Sequence, residues 1–274
     1  MKHAISDDIH TIRTTKPLIH NITNFVVMNT TANALLALGA SPIMAHAVEE
    51  LAELLSIAQA LVINIGTLDS HWINSFEKAV LIAADKNIPI VIDPVGAGAS
   101  TLRTHTALHL LHLAKITAIR GNASEIMALN QFCANTKGVD SAHESHDAVT
   151  AAKNLSKKFN CVVVVSGKID YCIESDTVIS VDHGSEMMTR VTGMGCTATA
   201  LMGAFLAVNK NSLEACVNAM TCMGICGEMA AKNSKGPGSF LPEFLDALSV
   251  ETRFIASHER EARVKCDIAS HEAQ

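Results

Sequence analysis

The chain has 274 residues, of which 49% are hydrophobic, so it is long enough to bury a substantial core. Its formal net charge is -6 and its pI is about 6.1, and the basic residues are scattered, which argues against a nucleic-acid or anionic-membrane surface and favours a small-molecule partner. The eight cysteines follow neither zinc-ligand spacing nor the pattern of a disulfide framework, and the polar N-terminus lacks the apolar core of a secretion signal. We therefore expect a reduced, cytoplasmic protein that is not exported.

Short β-branched runs alternate with longer stretches of helical character along the chain. The β-branched runs predict strands at 61–65, 88–93, 116–119 and 161–165. Helices are predicted after or between them at 70–86, 101–114, 122–130 and 145–159. Residues 171–174 and 177–181 predict an antiparallel hairpin, and the remainder predicts helices at 196–207, 212–231 and 240–257.

The predicted strands are continuously apolar, which indicates burial on both faces of a mainly parallel sheet that is flanked by helices. Because no linker, low-complexity tract or repeat interrupts these elements, residues 1–274 are predicted to form one α/β domain. The uncharged stretch 191–209 is rich in Gly and Thr in its first half and lacks flanking anchors, so we expect no membrane span there.

The most informative segment is Val191-Thr192-Gly193-Met194-Gly195-Cys196, a glycine turn that leads into an apolar helix. The first amide groups of a helix have no partner inside it, and glycines let an anion approach that backbone while the helix dipole favours negative charge. A lone Gly-x-Gly before a helix is equally compatible with a plain tight turn. The segment therefore predicts a phosphate site only in combination with polar residues elsewhere.

Polar residues that follow the predicted strands provide that combination, because ligands of open α/β sheets bind beyond the carboxyl ends of the strands. Asp93 and Glu125 are two hard oxygen ligands of the kind that suits a magnesium ion bridging phosphates. Arg120 could pair with a nucleotide phosphate. Alternatively, Asp93 forms a turn before Pro94, Glu125 is a helix-start residue, and Arg120 forms a surface ion pair.

Other motifs carry less weight. There is no Walker-type P-loop, and Gly96-Ala97-Gly98 does not match the dinucleotide fingerprint. His105, His109 and His112 share a helical face, which is more typical of a solvated stripe than of a metal site. Among the methionines, Met44 alone is predicted to reach a ligand, because it stands just past a strand.

Five segments together resemble the hydroxyethylthiazole kinase family of the ribokinase-like superfamily over nearly the whole chain. They are Pro17-Leu-Ile-His-Asn-Ile-Thr-Asn24, Ser41-Pro-Ile-Met-Ala45, Ile92-Asp-Pro-Val-Gly-Ala97, Ile119-Arg-Gly-Asn-Ala-Ser-Glu125 and Val191-Thr-Gly-Met-Gly-Cys196. The resemblance implies a three-layer α/β sandwich and ATP- and magnesium-dependent phosphorylation of the hydroxyl of 4-methyl-5-(2-hydroxyethyl)thiazole, a step toward thiamine.

The resemblance also implies roles for individual residues. Asn24, Arg120 and Ser166 would contact the nucleotide, and Ser166 keeps the hydroxyl of the threonine that is common there. Asp93 and Glu125 would organise magnesium and the phosphates.

The glycine turn would form the catalytic anion hole, and Gly193 and Met44 would touch the thiazole. Gly195 belongs to this turn. Cys196 stands where sugar kinases of the superfamily usually have an aspartate base, and a helix N-terminus lowers a thiol pKa, so Cys196 is predicted to position the hydroxyl and act as a weak base. Members of the family resemble trimers with the substrate pocket at the subunit interface, and we expect the same here.

Three other functions stay open at this stage. One is another vitamin kinase of the superfamily, for hydroxymethylpyrimidine or pyridoxal. A second is a hydrolase or transferase that uses Cys196 with His20 or His183. The third is a non-catalytic sensor of thiazole or nucleotide.

Overall fold

The computed structural model describes residues 4–134, 144–250 and 265–266, and these contain a nine-stranded sheet in the order β2-β1-β3-β4-β5-β6-β7-β8-β9. The strands are β1 Leu18–Ile22, β2 Ser41–Ile43, β3 Ala60–Asn64, β4 Ile90–Asp93, β5 Ala118–Asn122, β6 Val162–Ser166, β7 Asp170–Glu174, β8 Thr177–Val181 and β9 Lys265–Cys266. The six strands β1 to β6 pair in parallel, whereas β7, β8 and β9 are added antiparallel. The predicted parallel sheet with its hairpin is therefore confirmed.

Ten α-helices of the described residues cover the two faces of the sheet. They are α1 Ile5–Thr15, α2 Met28–Leu38, α3 Leu51–Ile57, α4 Ser70–Asp85, α5 Thr101–Leu113, α6 Ala123–Ala134, α7 Glu144–Phe159, α8 Met194–Val208, α9 Ser212–Asn233 and α10 Pro237–Ser249. None of the helices within these residues combines the length and apolar character that crossing a bilayer requires.

Side-chain alternation along the strands separates two hydrophobic cores, because successive residues of a strand point to opposite faces. Val62 and Val91 face the core shared with α1, α2, α8, α9 and α10. Leu61 and Ile92 face the core shared with α3 to α7. Both faces of the parallel strands are thus covered, which explains why those strands read as continuous apolar runs.

Helix α8 lies close against the sheet in the first of these layers. A Cβ on Gly203 would lie 2.6 Å from Val62 Cγ2 and 3.2 Å from Ile19 Cγ2, so only a glycine lets the helix approach this closely. The contact places the start of α8 over the carboxyl edge of the central strands.

The predicted element boundaries differ from the structure in two informative places. Strand β5 was predicted at 116–119 but continues to Asn122, because Arg120 pairs with Val164 and Asn122 pairs with Ser166 in the parallel ladder. Helix α10 begins at Pro237, where the fixed φ of proline suits a first helical turn, and ends at Ser249, so the prediction of a helix over 240–257 was wrong at its described end. Positions 251–257 of that prediction lie outside the described residues.

Candidate active site

The glycine turn before α8 has the geometry of an anion-binding helix terminus. Gly193 is the N-cap residue with φ 86°, and no side chain caps the first amide groups of the helix. A Cβ on Gly193 would lie 2.9 Å from Val27 Cγ1, and one on Gly195 would lie 2.5 Å from Arg120 Nη1. The positive φ of Gly193 therefore favours glycine at that position, and Gly195 leaves room for the Arg120 guanidinium beside it.

Asp93, the last residue of β4, lies beneath this helix terminus and is fully buried. Its Oδ2 accepts hydrogen bonds from Thr199 Oγ1 at 2.7 Å and from Asn64 Nδ2 at 3.0 Å, and Arg120 Nη1 lies 3.8 Å from the same oxygen. Parallel pairing of β3 with β4 sets Asn64 beside Asp93. One carboxylate oxygen thus collects three donors from β3, β5 and α8.

The other oxygen of Asp93, Oδ1, is buried and has no hydrogen-bond partner among the described residues. Burial raises the pKa of Asp93 to about 6, against the opposing effects of Arg120 and Thr199. A buried carboxylate with one unpaired oxygen is costly, and such groups are retained where they meet a cation or ligand.

Cys196 is half-buried in the first turn of α8, and Asn24 Nδ2 lies 3.6 Å from its Sγ. Burial raises the pKa of the thiol, and the Asp93 carboxylate raises it further. Desolvation and the nearby negative charge thus act against the helix dipole, which favours the thiolate. The role of Cys196 as a hydroxyl-positioning group and weak base stays a prediction.

Glu125 closes the start of α6 in a reciprocal cap. Its Oε2 accepts from the backbone N–H of Asn122 at 2.8 Å, while Asn122 Oδ1 accepts from the backbone N–H of Glu125 at 2.9 Å. The other oxygen, Oε1, accepts from Gly96 N at 2.8 Å in the loop after β4. The helix-start interpretation of Glu125 is thus confirmed, and the same carboxylate also joins the loop that follows Asp93.

Arg120 and Ser166 lie on neighbouring strands and bond to each other, with Arg120 Nη2 donating to Ser166 Oγ at 2.5 Å. Arg120 is on β5 rather than beyond its end, and its Nε is buried without a hydrogen-bond partner among the described residues. Both side chains line a cavity of about 810 Å³ that extends from Gly195 to the hairpin β7-β8 and to α9. A cavity of this size is large enough for a nucleotide.

The far wall of this cavity depends on two glycines of α9. A Cβ on Gly224 would collide with His183, and one on Gly227 would collide with Met188 Sδ. His183 Nδ1 lies 3.0 Å from Glu228 Oε1, which also accepts from Gly184 N at 2.9 Å. The loop after β8 is therefore held against α9 and forms a shaped wall.

Asn24 and Met44 occupy different parts of the carboxyl edge. Asn24 Nδ2 donates to Asn64 Oδ1 at 2.8 Å, so this residue joins the network of Asp93 and Cys196. Met44 follows the edge strand β2, with β1 and β3 between that strand and β4. At about 4.8 Å per strand, Met44 is on the order of 14 Å from Asp93 along the sheet.

Sequence reasoning missed three side chains that build the site. Asn64 and Thr199 both bond to Asp93, and Arg103 donates to three backbone carbonyls of the loops after β3 and β4. Asn64 opens one of the polar strand ends that the sequence indicates, 64–67, but the sequence assigned it no role. Thr199 and Arg103 lie on helices, and nothing in the sequence aligned them with the strand ends.

The three histidines of the predicted helical stripe each contact a residue outside the site described above. His109 Nε2 lies 3.1 Å from Glu77 Oε1, His105 packs edge-on against Phe132, and His112 bonds to Leu108 O. The stripe thus has three unrelated sets of contacts.

A thiol–histidine pair is not assembled either. His20 Nε2 bonds to Ala45 O at 2.8 Å, and burial lowers its pKa. His183 is paired with Glu228. Since the thiol of Cys196 lies near Asn24, the structure removes the support for a hydrolase that uses either histidine.

Solved structures similar to this fold define the class of protein. Pyridoxal kinase from Staphylococcus aureus in complex with ADP aligns with a TM-score of 0.61 at 18% identity, over 81% of this chain and 90% of that one. A likeness at this identity establishes the fold, which is ribokinase-like. The class that this likeness defines is one of fold, because a fold alone does not determine the reaction.

Sequence relatives identify the family. The model of the hydroxyethylthiazole kinase family matches residues 9–253. The hydroxyethylthiazole kinase of Oleidesulfovibrio alaskensis is 54% identical over 88% of this chain and 91% of its own length. That of Methanococcus vannielii is 51% identical over 89% of this chain and 92% of its own length. The structure of hydroxyethylthiazole kinase from Pyrococcus horikoshii OT3 aligns with a TM-score of 0.87 at 43% identity, over 96% of this chain and 98% of that one. The chain belongs to the hydroxyethylthiazole kinase family.

Proposed function

We propose that this protein transfers the γ-phosphoryl group of ATP to the hydroxyl of 4-methyl-5-(2-hydroxyethyl)thiazole in line, with magnesium. One observation carries the proposal: the uncapped N-terminus of α8 lies above a buried carboxylate with a free oxygen, at the mouth of a nucleotide-sized cavity. Phosphoryl transfer needs positioning and charge stabilisation more than a strong base, and these groups supply both.

The cavity supports a nucleotide site with its phosphates at the α8 end. Arg120 and Ser166 line the cavity next to Gly195, so a guanidinium, a hydroxyl and free helix amides converge there. Met188, Met220 and Met223 line the other end, which suits the flat apolar face of a nucleobase. Asn24 lies nearer to Cys196 than to this cavity wall, and we propose that it reaches the terminal phosphate.

The donor set fits a magnesium ion that keeps several waters. Asp93 Oδ1 has no partner among the described residues, and Glu125 bonds to the loop that follows Asp93, so these two carboxylates would hold the ion. Within the described residues, no three His, Cys, Asp or Glu side chains cluster as a metal cage, which agrees with an ion completed by phosphates and water. When bound, magnesium would neutralise phosphate charge.

At the acceptor end, we propose that the neutral thiol of Cys196 positions the substrate hydroxyl. Asn24 Nδ2 donates to the sulfur and orients it. The raised pKa favours the protonated thiol, so little thiolate is present to act as a base. The hydroxyl proton is then lost late, as expected for a loose transition state, and passes to an oxygen of the transferred phosphoryl group or to water as ADP leaves.

The thiazole pocket is proposed to be completed by a second subunit of a homotrimer. Phe25 and Val26 are each 63% exposed, and Phe25 packs edge-on against Trp72 at 5.1 Å between ring centroids. The next residue, Val27, lies against Gly193 of the anion turn. An exposed apolar segment is thus continuous with the catalytic turn, on the side where Met44 follows β2.

The test is a coupled assay of ADP release with product mass measured for three alcohols: hydroxyethylthiazole, hydroxymethylpyrimidine and pyridoxal. We expect thiazole-dependent ADP and a phosphorylated thiazole, both abolished by EDTA. Activity only on hydroxymethylpyrimidine or pyridoxal would show that the protein is a kinase for a different substrate. Ligand binding without ADP would favour the sensor.

A further inference from the structure

We propose that Arg103 is a positioning residue that holds the two strand-end loops of the phosphoryl site in register. The proposal rests on the magnesium and nucleotide site described above. Arg103 is half-buried on α5, outside the cavity, so any effect it has on the reaction is exerted through other residues.

The guanidinium of Arg103 bridges the loops after β3 and β4. Its Nη1 donates to Ile65 O at 3.0 Å and to Val95 O at 2.8 Å, and its Nη2 donates to Gly66 O at 2.8 Å. Ile65 follows Asn64 directly, and Val95 stands two residues after Asp93. One side chain therefore fixes the backbone on both sides of the Asn64–Asp93 hydrogen bond.

The same clamp extends to Glu125. The peptide after Val95 donates its Gly96 N–H to Glu125 Oε1 at 2.8 Å. Gly96 has φ 75°, and a Cβ there would lie 3.0 Å from Arg103 Cδ, so the arginine stem lies against this turn. The loop between the two carboxylates is thus held by Arg103 on one side and by Glu125 on the other.

The geometry requires the planar fork of arginine. Three carbonyls of two loops are bonded by two nitrogens in one plane, which a single ammonium cannot reproduce. The charge that acts on the Asp93 carboxylate comes from Arg120, so Arg103 contributes placement of the loops. A displacement of such loops by about 1 Å is enough to lower a phosphoryl-transfer rate severely.

Arg13 provides a matched control. It is also half-buried and donates to two backbone carbonyls, Leu38 O at 3.3 Å and Leu248 O at 2.9 Å. Arg13 lies on α1 before β1, Leu38 ends α2 before β2, and Leu248 lies in the last turn of α10. Replacing Arg13 removes a similar guanidinium clamp without touching the proposed site.

The deciding experiment is calorimetric titration of Arg103→Met, Arg103→Lys and Arg13→Met with a non-hydrolysable ATP analogue, with magnesium and with EDTA. We expect Arg103→Met to weaken binding about tenfold in magnesium and to leave binding in EDTA within about twofold, with Arg103→Lys between it and the unsubstituted protein. Arg13→Met should bind like the unsubstituted protein in both conditions. Arg103→Lys retains a cation in the same space, so it preserves the test if Arg103→Met does not fold.

Two results would overturn the role of Arg103: binding by Arg103→Met equal to that of Arg13→Met, or equal weakening with and without magnesium. Failure of the proposed function is seen separately in the unsubstituted protein. If that protein shows no magnesium-dependent binding, the magnesium site and the role of Arg103 both fall. If it shows such binding but does not phosphorylate the thiazole, the proposed substrate is rejected, and the titration alone decides the role of Arg103.

Discussion

At the scale of single residues, the site joins two carboxylates whose environments differ. Asp93 has a free buried oxygen and a raised pKa, whereas both oxygens of Glu125 accept backbone N–H groups. Asp93 is thus an acceptor kept for a ligand, and Glu125 also shapes the loops around it.

Asp93→Asn should inactivate the enzyme while stabilising it at high pH. Because the folded-state pKa of Asp93, about 6, lies above the unfolded value of 3.8, the cost of the buried charge is full above pH 6 and is relieved as the pH falls toward 3.8. Melting temperatures should therefore be higher for Asp93→Asn at pH 8, and the gap should narrow at pH 5. Turnover should fall about a hundredfold. A variant less stable than the unsubstituted protein at pH 8 would contradict this account.

Cys196→Ala should lower turnover about tenfold and leave nucleotide affinity intact, because the thiol is proposed to position the acceptor hydroxyl and does not line the cavity. Steady-state kinetics and calorimetry measure the two effects. Cys196→Ser, which keeps a hydrogen-bonding group beside Asn24, is the control and should retain more activity than the alanine variant. Unchanged turnover in Cys196→Ala would remove the thiol from the mechanism.

At the scale of elements, helix α8 connects the catalytic turn to the sheet through two glycines with separable functions. Gly195 makes room for Arg120 at the first turn, and Gly203 makes room for Val62 and Ile19 two turns later. Substituting each by alanine should separate binding from stability.

Gly195→Ala should raise the KM for ATP about tenfold with a small change in melting temperature, because the Arg120 side chain can move away but then leaves Ser166. Gly203→Ala should lower the free energy of unfolding by about 1–3 kcal/mol and retain the KM, because the added methyl group meets the sheet. Kinetics and thermal melts of both variants test this pair. If Gly203→Ala raised the KM and Gly195→Ala lowered the free energy of unfolding, α8 would transmit strain between its ends.

The sequence predicted strands β3 to β8 and their order of appearance, because apolar runs that are buried on both faces are a strong local signal. It predicted no range for β1, β2 or β9. It also located Asp93 and the anion turn, which lie at element boundaries. It could not locate Thr199 or Arg103, whose roles depend on how α8 and α5 rotate against the sheet. The sequence shows the helix terminus at Cys196 but not the depth of burial or the nearness of Asp93, both of which raise the pKa of the thiol.

At the scale of the whole molecule, the proposed nucleotide and acceptor sites would lie apart along one edge of the parallel sheet. The cavity lies toward β6 and the hairpin, while Met44 and the exposed segment Phe25–Val26 lie on the β1–β2 side. Assembly should therefore affect the acceptor half more than the nucleotide half.

Val26→Asp should convert a trimer into smaller species and raise the KM for hydroxyethylthiazole, while nucleotide affinity changes little. A charge at an interface that excludes water leaves that charge unpaired, which is why dissociation is expected. Sedimentation or light scattering gives the mass. Leu81→Asp, at a position 49% exposed on the outer face of α4, is the control and should keep the mass of the unsubstituted protein. A monomeric unsubstituted protein with full activity would refute the shared pocket.

The reciprocal cap of Glu125 has a consequence for how lost activity is recognised in related chains. The backbone N–H groups of Gly96 and Asn122 donate to its two oxygens. A glutamine side chain would turn its amide NH2 group toward one of these two donors. Folding alone therefore maintains glutamate at this position, even in a descendant that no longer phosphorylates anything. The buried charge of Asp93 lowers the stability of the fold, so folding alone would favour its replacement. In a lineage released from catalysis, we expect Asp93 to be replaced first and Glu125 to persist. An intact pair of Asn122 and Glu125 then says little about activity, whereas an intact Asp93 indicates a working kinase.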